Sequence, residues 1–291
     1  MTKTDPYALA ARHAEDVIRN QKIDVFPVDP TVVATNIGIE VRAKPAGTTG
    51  VAGMFLRFGE FYGIVYATHI RSVGFQRFSV AHELGHYFLP GHIDAVLPDN
   101  GVHQSHSGFV SQDPYEREAD HFAAALLMPR HLFLPAMRKA GTGLAAVEYM
   151  RELCGTSLTA TAIRYAQCSD DPIAIVMSTG NAIDYCFMSD SLKEMDGIDW
   201  IRRSQVLPRG TPTFLFNQNG ERVQAGERAE GTSDLQEWFG GSRSIEVGED
   251  VVGLGSYGKT LTVLYDIDLL DEEEESEEAS LAESWQPRHR R

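Results

Sequence analysis

Long apolar runs are missing from this chain of 291 residues, and none approaches the roughly 18 uninterrupted apolar residues that a membrane helix needs. The reading is therefore a soluble chain with no membrane partner. Cysteine is scarce: Cys154, Cys168 and Cys186 are odd in number, widely spaced and without a C-x-x-C pair. That argues against a disulfide framework and against a cysteine zinc site. Positive charge is short as well, with 26 Lys and Arg against 41 Asp and Glu, a formal charge of −15. Residues 266–291 hold ten acids and three bases, so −7 sits there and −8 is spread over the rest. Phosphate affinity comes from clustered Lys and Arg, so direct nucleic-acid binding is disfavoured. Positions 1–20 interleave Lys3, Asp5, Arg12, Glu15, Asp16 and Arg19 with small residues where a secretion signal needs continuous apolar sequence. The expected location is the cytoplasm.

What is present suffices for a core, since 43% of the residues are hydrophobic, enough for one large or two small domains. Helical spacing runs over Tyr7–Arg19 and Thr31–Asn36, and Ile37–Val41 alternates like a strand. After a glycine-rich turn at Gly47–Gly50, Val51–Phe58 and Phe61–Ala67 read as a hairpin about Gly59-Glu60. Gln76–Leu89 reads as a helix ended by Pro90-Gly91, and the polar stretch His92–Gln112 as a loop. Asp113-Pro114 opens a further helix to Met128, and two more follow at Leu144–Leu153 and Ser157–Gln167. From Pro172 the texture becomes strand-rich: Ile173–Met177, Ala182–Met188, Thr213–Phe216, Arg222–Gln224, Arg243–Val247 and Thr260–Tyr265, with Asn219-Gly220 as a hairpin turn. Asp271–Glu278 is too acidic to bury a core and reads as a disordered tail.

The sharpest local signal is His82-Glu83-Leu84-Gly85-His86, an H-E-x-x-H within an expected helix. At helical pitch two imidazoles four residues apart leave one face and reach a common zinc ion, and Glu83 lies beside them as a general base. Chance produces this pattern in roughly three of a hundred chains of such composition, so a third ligand has to be found. His92 falls where the metzincin pattern ends, but Leu89 occupies the position that pattern reserves for glycine. Glu116 is the rival, with Asp120 four residues on to orient a ligand histidine and Ala119, Ala123 and Ala124 permitting close helix approach. Asp113-x-x-Glu116 also fits a capping box, and Glu118 and His121 stay open as ligands. His103, His106, His121 and Tyr115 are candidates for stabilising an oxyanion.

Taken together, Gln76-Arg77-Phe78-Ser79-Val80-Ala81-His82-Glu83-Leu84-Gly85-His86 and Glu116-Arg117-Glu118-Ala119-Asp120-His121-Phe122-Ala123-Ala124-Ala125-Leu126-Leu127-Met128-Pro129 resemble the two signature helices of the ImmA/IrrE-type metallopeptidases. The resemblance covers about residues 5–168. It implies a gluzincin-like zinc domain in which His82, His86 and Glu116 bind zinc, or manganese with the same donors, and Glu83 is the base. It further implies cleavage of a helix-turn-helix repressor that controls stress-response or mobile-element genes, although some members have shown no proteolysis. A non-proteolytic regulator that binds such a repressor, or DNA, is the alternative reading.

Two other patterns are weighed and set aside. Gly253–Thr260 spells G-x-x-x-x-G-K-[ST], but strand sequence follows it where a P-loop needs a helix, so a nucleotide is not expected. The helix pair of Leu144–Gln167 could imitate a DNA reader, but its second helix carries only Arg164 as a base. The expected fold is α+β: a minimal zinc-metallopeptidase domain with its helix pair (1–168), a strand-rich α/β domain that senses a ligand or recruits substrate (169–268), and an acidic tail (269–291). The second domain's place in the chain resembles that of GAF-like sensor domains.

Overall fold

A computed structural model describes residues 5–44, 51–69, 72–97, 101–106, 113–242 and 244–267. The Gly47–Gly50 turn and the acidic tail lie outside the described residues. The chain divides into two units, Met1–Asp170 and Asp171–Arg291.

Aspartate and proline start the early helices of the first unit. Asp5 accepts from the Tyr7 amide ahead of α1 (Pro6–Asn20), and Asp29 accepts from the Thr31 amide at 2.8 Å ahead of α2 (Pro30–Thr35). Gly38, at φ 80°, turns the chain after α2. The strand expected at Ile37 therefore starts later, as β1 (Glu40–Lys44). β2 (Val51–Phe58) and β3 (Phe61–Ala67) make the expected hairpin, and β1 joins β3 in parallel. Across this sheet lies α3 (Val73–Phe88), capped by the Ser72 hydroxyl on the Phe75 amide. It ends where Leu89 turns extended before Pro90, as the residue preceding a proline tends to do.

The polar stretch from His92, expected as a loop, supplies α4 (His92–Val96) and β4 (Val102–His106), the latter antiparallel to β2 in the order β1-β3-β2-β4. Each buries one polar side chain, His92 or Ser105, so hydropathy carried no sign of them. α5 (Pro114–Leu127) starts on an Asp113 cap and packs on α1 and α3. A Cβ built on Gly85 would stand 3.0 Å from Ala119 Cα and 3.2 Å from its Cβ, so the pair sets the separation of α3 and α5. Next come α6 (Arg130–Ala140), α7 (Gly143–Cys154) and α8 (Leu158–Cys168). α6 escaped the sequence reading because Pro129 and Pro135 punctuate it; the first precedes the helix and the second is accommodated within it. Arg164 of α8 is buried, with Nε 3.0 Å from the Met128 carbonyl and Nη2 3.4 Å from Glu15. It is a packing residue, as suits a packing helix pair.

In the second unit β5 (Ala174–Thr179), β6 (Ala182–Met188), β7 (Arg228–Asp234), β8 (Glu246–Gly253) and β9 (Thr260–Tyr265) form one sheet in the order β6-β5-β9-β8-β7. Every pairing in it is antiparallel, which makes this unit α+β where the sequence suggested α/β. Thr213–Phe216 and Arg222–Gln224, expected as strands, are helical: α10 (Pro212–Asn217) and α11 (Gly220–Ala225) follow the short α9 (Asp190–Lys193) and precede α12 (Leu235–Phe239). Asn219 does not turn a hairpin; its side chain caps α11 by accepting from the Glu221 amide. Phe216 and Val223 pack on Val251 of the sheet, and this burial outweighs the strand preference of their side chains. Gly253–Thr260 links β8 to β9 through a single 3-10 turn, and Lys259 is paired with Asp184.

Candidate metal centre

α3 projects His82, Glu83 and His86, all buried, and α5 brings Glu116 and Asp120 over them. Their separation across the Gly85–Ala119 contact decides which acids can reach the histidines. His82 Nε2 lies 3.1 Å from His86 Nε2 and 3.2 Å from Glu116 Oε2, and His86 Nε2 lies 3.5 Å from Glu116 Oε1. Tetrahedral zinc with nitrogen and oxygen ligands at about 2.0–2.1 Å would separate its donor atoms by about 3.3 Å. Two imidazole lone pairs facing each other at 3.1 Å also need a cation or a proton between them. The donor set therefore fits a zinc ion.

Each of the three has a further partner. His82 Nδ1 is 2.9 Å from Asp120 Oδ1. His103 of β4 places Nε2 3.1 Å from Glu116 Oε1 and its ring edge-on to His86. His92, the rival third ligand, stands behind His86, with Nδ1 to Nδ1 at 3.2 Å and Nε2 3.1 Å from Glu118 Oε2. Glu118 thus meets His92 and not the three donors. His121 is elsewhere, stacked on Tyr7 with ring centroids 4.6 Å apart. Tyr115 sets its ring against the edge of His92. Of the oxyanion candidates whose side chains are described, His103 is the one beside the donor cluster; the His106 side chain lies outside the description.

Glu83 is fully buried, and neither of its oxygens has a hydrogen-bond partner of good geometry among the described residues, although the Ser105 hydroxyl bears on it. A buried carboxylate without partners is costly, so its place calls for a functional reason. Gly53 of β2 makes that place, because a Cβ there would collide with Glu83 Oε1. Glu83, His86 and His103 also group their ligand-type atoms within 4.8 Å of one another. Gly53 meets α3 from β2 itself, and His103 and Ser105 are brought there by the pairing of β4 with β2. No short-range pattern announces Gly53 or Ser105.

Electrostatics divide the protons unevenly. Burial opposes charge on His82, but the bonds to Asp120 and Glu116 and the nearby Glu83 raise its pKa to about 10. Burial, with His82 and His103 adjacent, takes His86 down to about 3 despite Glu116. Glu116 is buried too, yet His103, His82 and His86 hold it well below the usual carboxylate range. For Glu83 burial wins and the pKa is raised, with His82, Ser105 and His103 pulling the other way. His92 is lowered by burial, against the pull of Glu118. A neutral His86 and an anionic Glu116 are the forms that bind a metal ion, and the His82 proton is the one an ion would displace.

Residues 34–165 match a family model, Peptidase_M78, described as the IrrE N-terminal-like domain, and the match includes α3 and α5. The radiation response metalloprotease IrrE of Deinococcus radiodurans is 26% identical over 179 residues, 59% of this chain and 53% of that protein. The chain thus spans about half the length of this curated relative. A solved structure of a Mycobacterium tuberculosis transcriptional regulator is similar in fold, with a TM-score of 0.56 at 13% identity over 88% of this chain and 76% of that one. The sequence motifs, the helices that carry them and the family match converge: residues 34–165 form an IrrE N-terminal-like domain, similar to that of a metalloprotease.

Proposed function

We propose that the chain is a zinc-dependent endopeptidase that acts on a protein partner, a helix-turn-helix repressor whose loss relieves repression of stress-response or mobile-element genes. The observation that carries the reading is the buried Glu83 carboxyl, without a well-formed hydrogen bond, beside three donors within 4.8 Å of one another. His82, His86 and Glu116 would hold the ion, which when bound supplies Lewis-acid polarisation of a scissile carbonyl and acidifies a water. Glu83 takes the proton from the attacking water and passes it to the leaving amine. Burial supports that role because a raised pKa lets the carboxyl hold the proton between the two transfers. Asp120 accepts from His82 Nδ1–H, which leaves the Nε2 lone pair toward the centre. His103, directed at Glu116, steadies the third donor from the sheet side. Manganese accepts the same donors, so the metal is to be measured.

The test is elemental analysis of wild type and Glu83→Gln, with each incubated with the product of the neighbouring gene where that gene encodes a helix-turn-helix repressor. The expected result is one metal per chain in both and cleavage by wild type alone. Metal in both with cleavage by neither, and derepression retained by Glu83→Gln in cells, would replace the protease with a binding regulator.

A further inference from the structure

His86 directs its second ring nitrogen into a buried contact that the peptidase reading leaves without a role. α3 stops at Phe88, Pro90 follows, and Gly91 in the left-handed region (φ 79°) reverses the chain. His92, the first residue of α4, is folded back against His86 and is fully buried. The two Nδ1 atoms stand 3.2 Å apart, and His92 Nε2 stands 3.1 Å from Glu118 Oε2 on α5.

Counting protons leaves one arrangement for this row. Two ring nitrogens at 3.2 Å need one proton between them, because two would collide and none would oppose two lone pairs. His86 faces His82 and Glu116 through Nε2, so as a metal donor it keeps that lone pair free and carries its proton on Nδ1. It therefore donates to His92 Nδ1. His92, accepting there, carries its own proton on Nε2, and Glu118 accepts that one. Both nitrogens of His92 are then committed, which is why it cannot also be the third ligand.

We propose that His92 and Glu118 are positioning residues: a Glu118–His92–His86 relay that locks His86 in its Nδ1–H tautomer and aims the Nε2 lone pair at the metal. The inference rests on the metal-centre reading above and adds to it. His82 is oriented by one carboxylate in direct contact, whereas His86 is oriented by a carboxylate acting through an intervening imidazole.

The experiment uses the full chain as wild type, His92→Phe, His92→Gln and Glu118→Ala. Zinc affinity is read by chelator competition, the thermal midpoint of each metal-free protein is recorded, and long-range ¹H–¹⁵N correlation reports histidine tautomers. His92→Phe keeps a ring in the buried space and removes both nitrogens, so zinc affinity is expected to fall 10–100-fold with stoichiometry kept at saturating zinc. His92→Gln restores an acceptor for His86 and a donor for Glu118 and is expected to regain most of the loss. Glu118→Ala, at a quarter-exposed side chain, is expected to weaken zinc in the same direction without lowering the metal-free midpoint. The wild-type spectrum should show His86 as Nδ1–H and His92 as Nε2–H. Unchanged affinity in His92→Phe, a Gln variant as weak as the Phe variant, or a metal-coordinated His92 would overturn the relay. A wild type that binds no zinc would overturn the metal centre itself, a separate and visible failure.

Discussion

At Glu83 a single missing methyl group makes room for a buried carboxyl that lacks a well-formed hydrogen bond. Gly53 leaves room for Oε1, and any larger residue would displace the carboxylate from beside the donors. Gly53→Ala is expected to leave metal content unchanged and to slow partner cleavage about 100-fold, since a displacement near 1 Å at a reacting group costs that much. Elemental analysis and a cleavage time course check it, and an undiminished rate would show that Glu83 has freedom the geometry denies. The cysteines stand at the other extreme. Burial raises the thiols of Cys154 and Cys186 to about 12 and raises Cys168 too, so none is a ready thiolate or metal donor at neutral pH.

Among the elements, the contact of α3 with α5 turns two distant motifs into one centre. Helix periodicity places His82 and His86 on one face whatever surrounds them, but the reach of Glu116 and Asp120 depends on how near α5 comes. Gly85 against Ala119 sets that distance. Gly85→Val forces the helices apart and is expected to cost about 1–3 kcal/mol in chemical denaturation. Zinc affinity should weaken with it, because both acids ride on α5; an affinity equal to wild type would mean that the donors adjust independently of the helix spacing. α4 shows the limit of reading elements from composition. Its one buried residue is a histidine, so hydropathy gives no cue, and the turn at Gly91 that returns it to α3 leaves only a Pro-Gly pair in the sequence.

Over the whole molecule the metal is expected to stabilise the unit that holds its donors. Linkage adds about 4 kcal/mol at a free zinc concentration about 1,000 times Kd. Chelation should therefore lower the thermal midpoint of the unit Met1–Asp170 and raise amide hydrogen exchange in α3 and α5, with β5 and β9 exchanging as before. Faster exchange in β5 and β9 on chelation would show that the ion stabilises more than its own unit. The second unit was the less legible in sequence. β5, β6 and β9 lay close to where hydropathy placed them, whereas the residues of α10 and α11 carried strand-forming side chains in segments too short for a helical period to register. The cues that mattered were Thr211-Pro212 and Asn219, residues that cap helices as readily as they make turns.

The amino-acid sequence by itself determined what a short stretch of backbone can decide. Two histidines and a glutamate share one helix face because the pitch is local, and paired signature helices mark the family. Spacing alone left Glu116, His92, Glu118 and His121 as rivals, ranked only by the family resemblance, since Glu116, Glu118 and His121 lie 30 or more positions beyond His86 and loop geometry has no period. Tertiary structure made the choice of neighbours: helix packing brings Glu116 to the two Nε2 atoms, a left-handed glycine puts His92 behind His86, and Tyr7 stacks on His121 away from them. The physical reason is range. Periodicity acts within a few residues, whereas a metal site is assembled from distances that only the packed chain possesses.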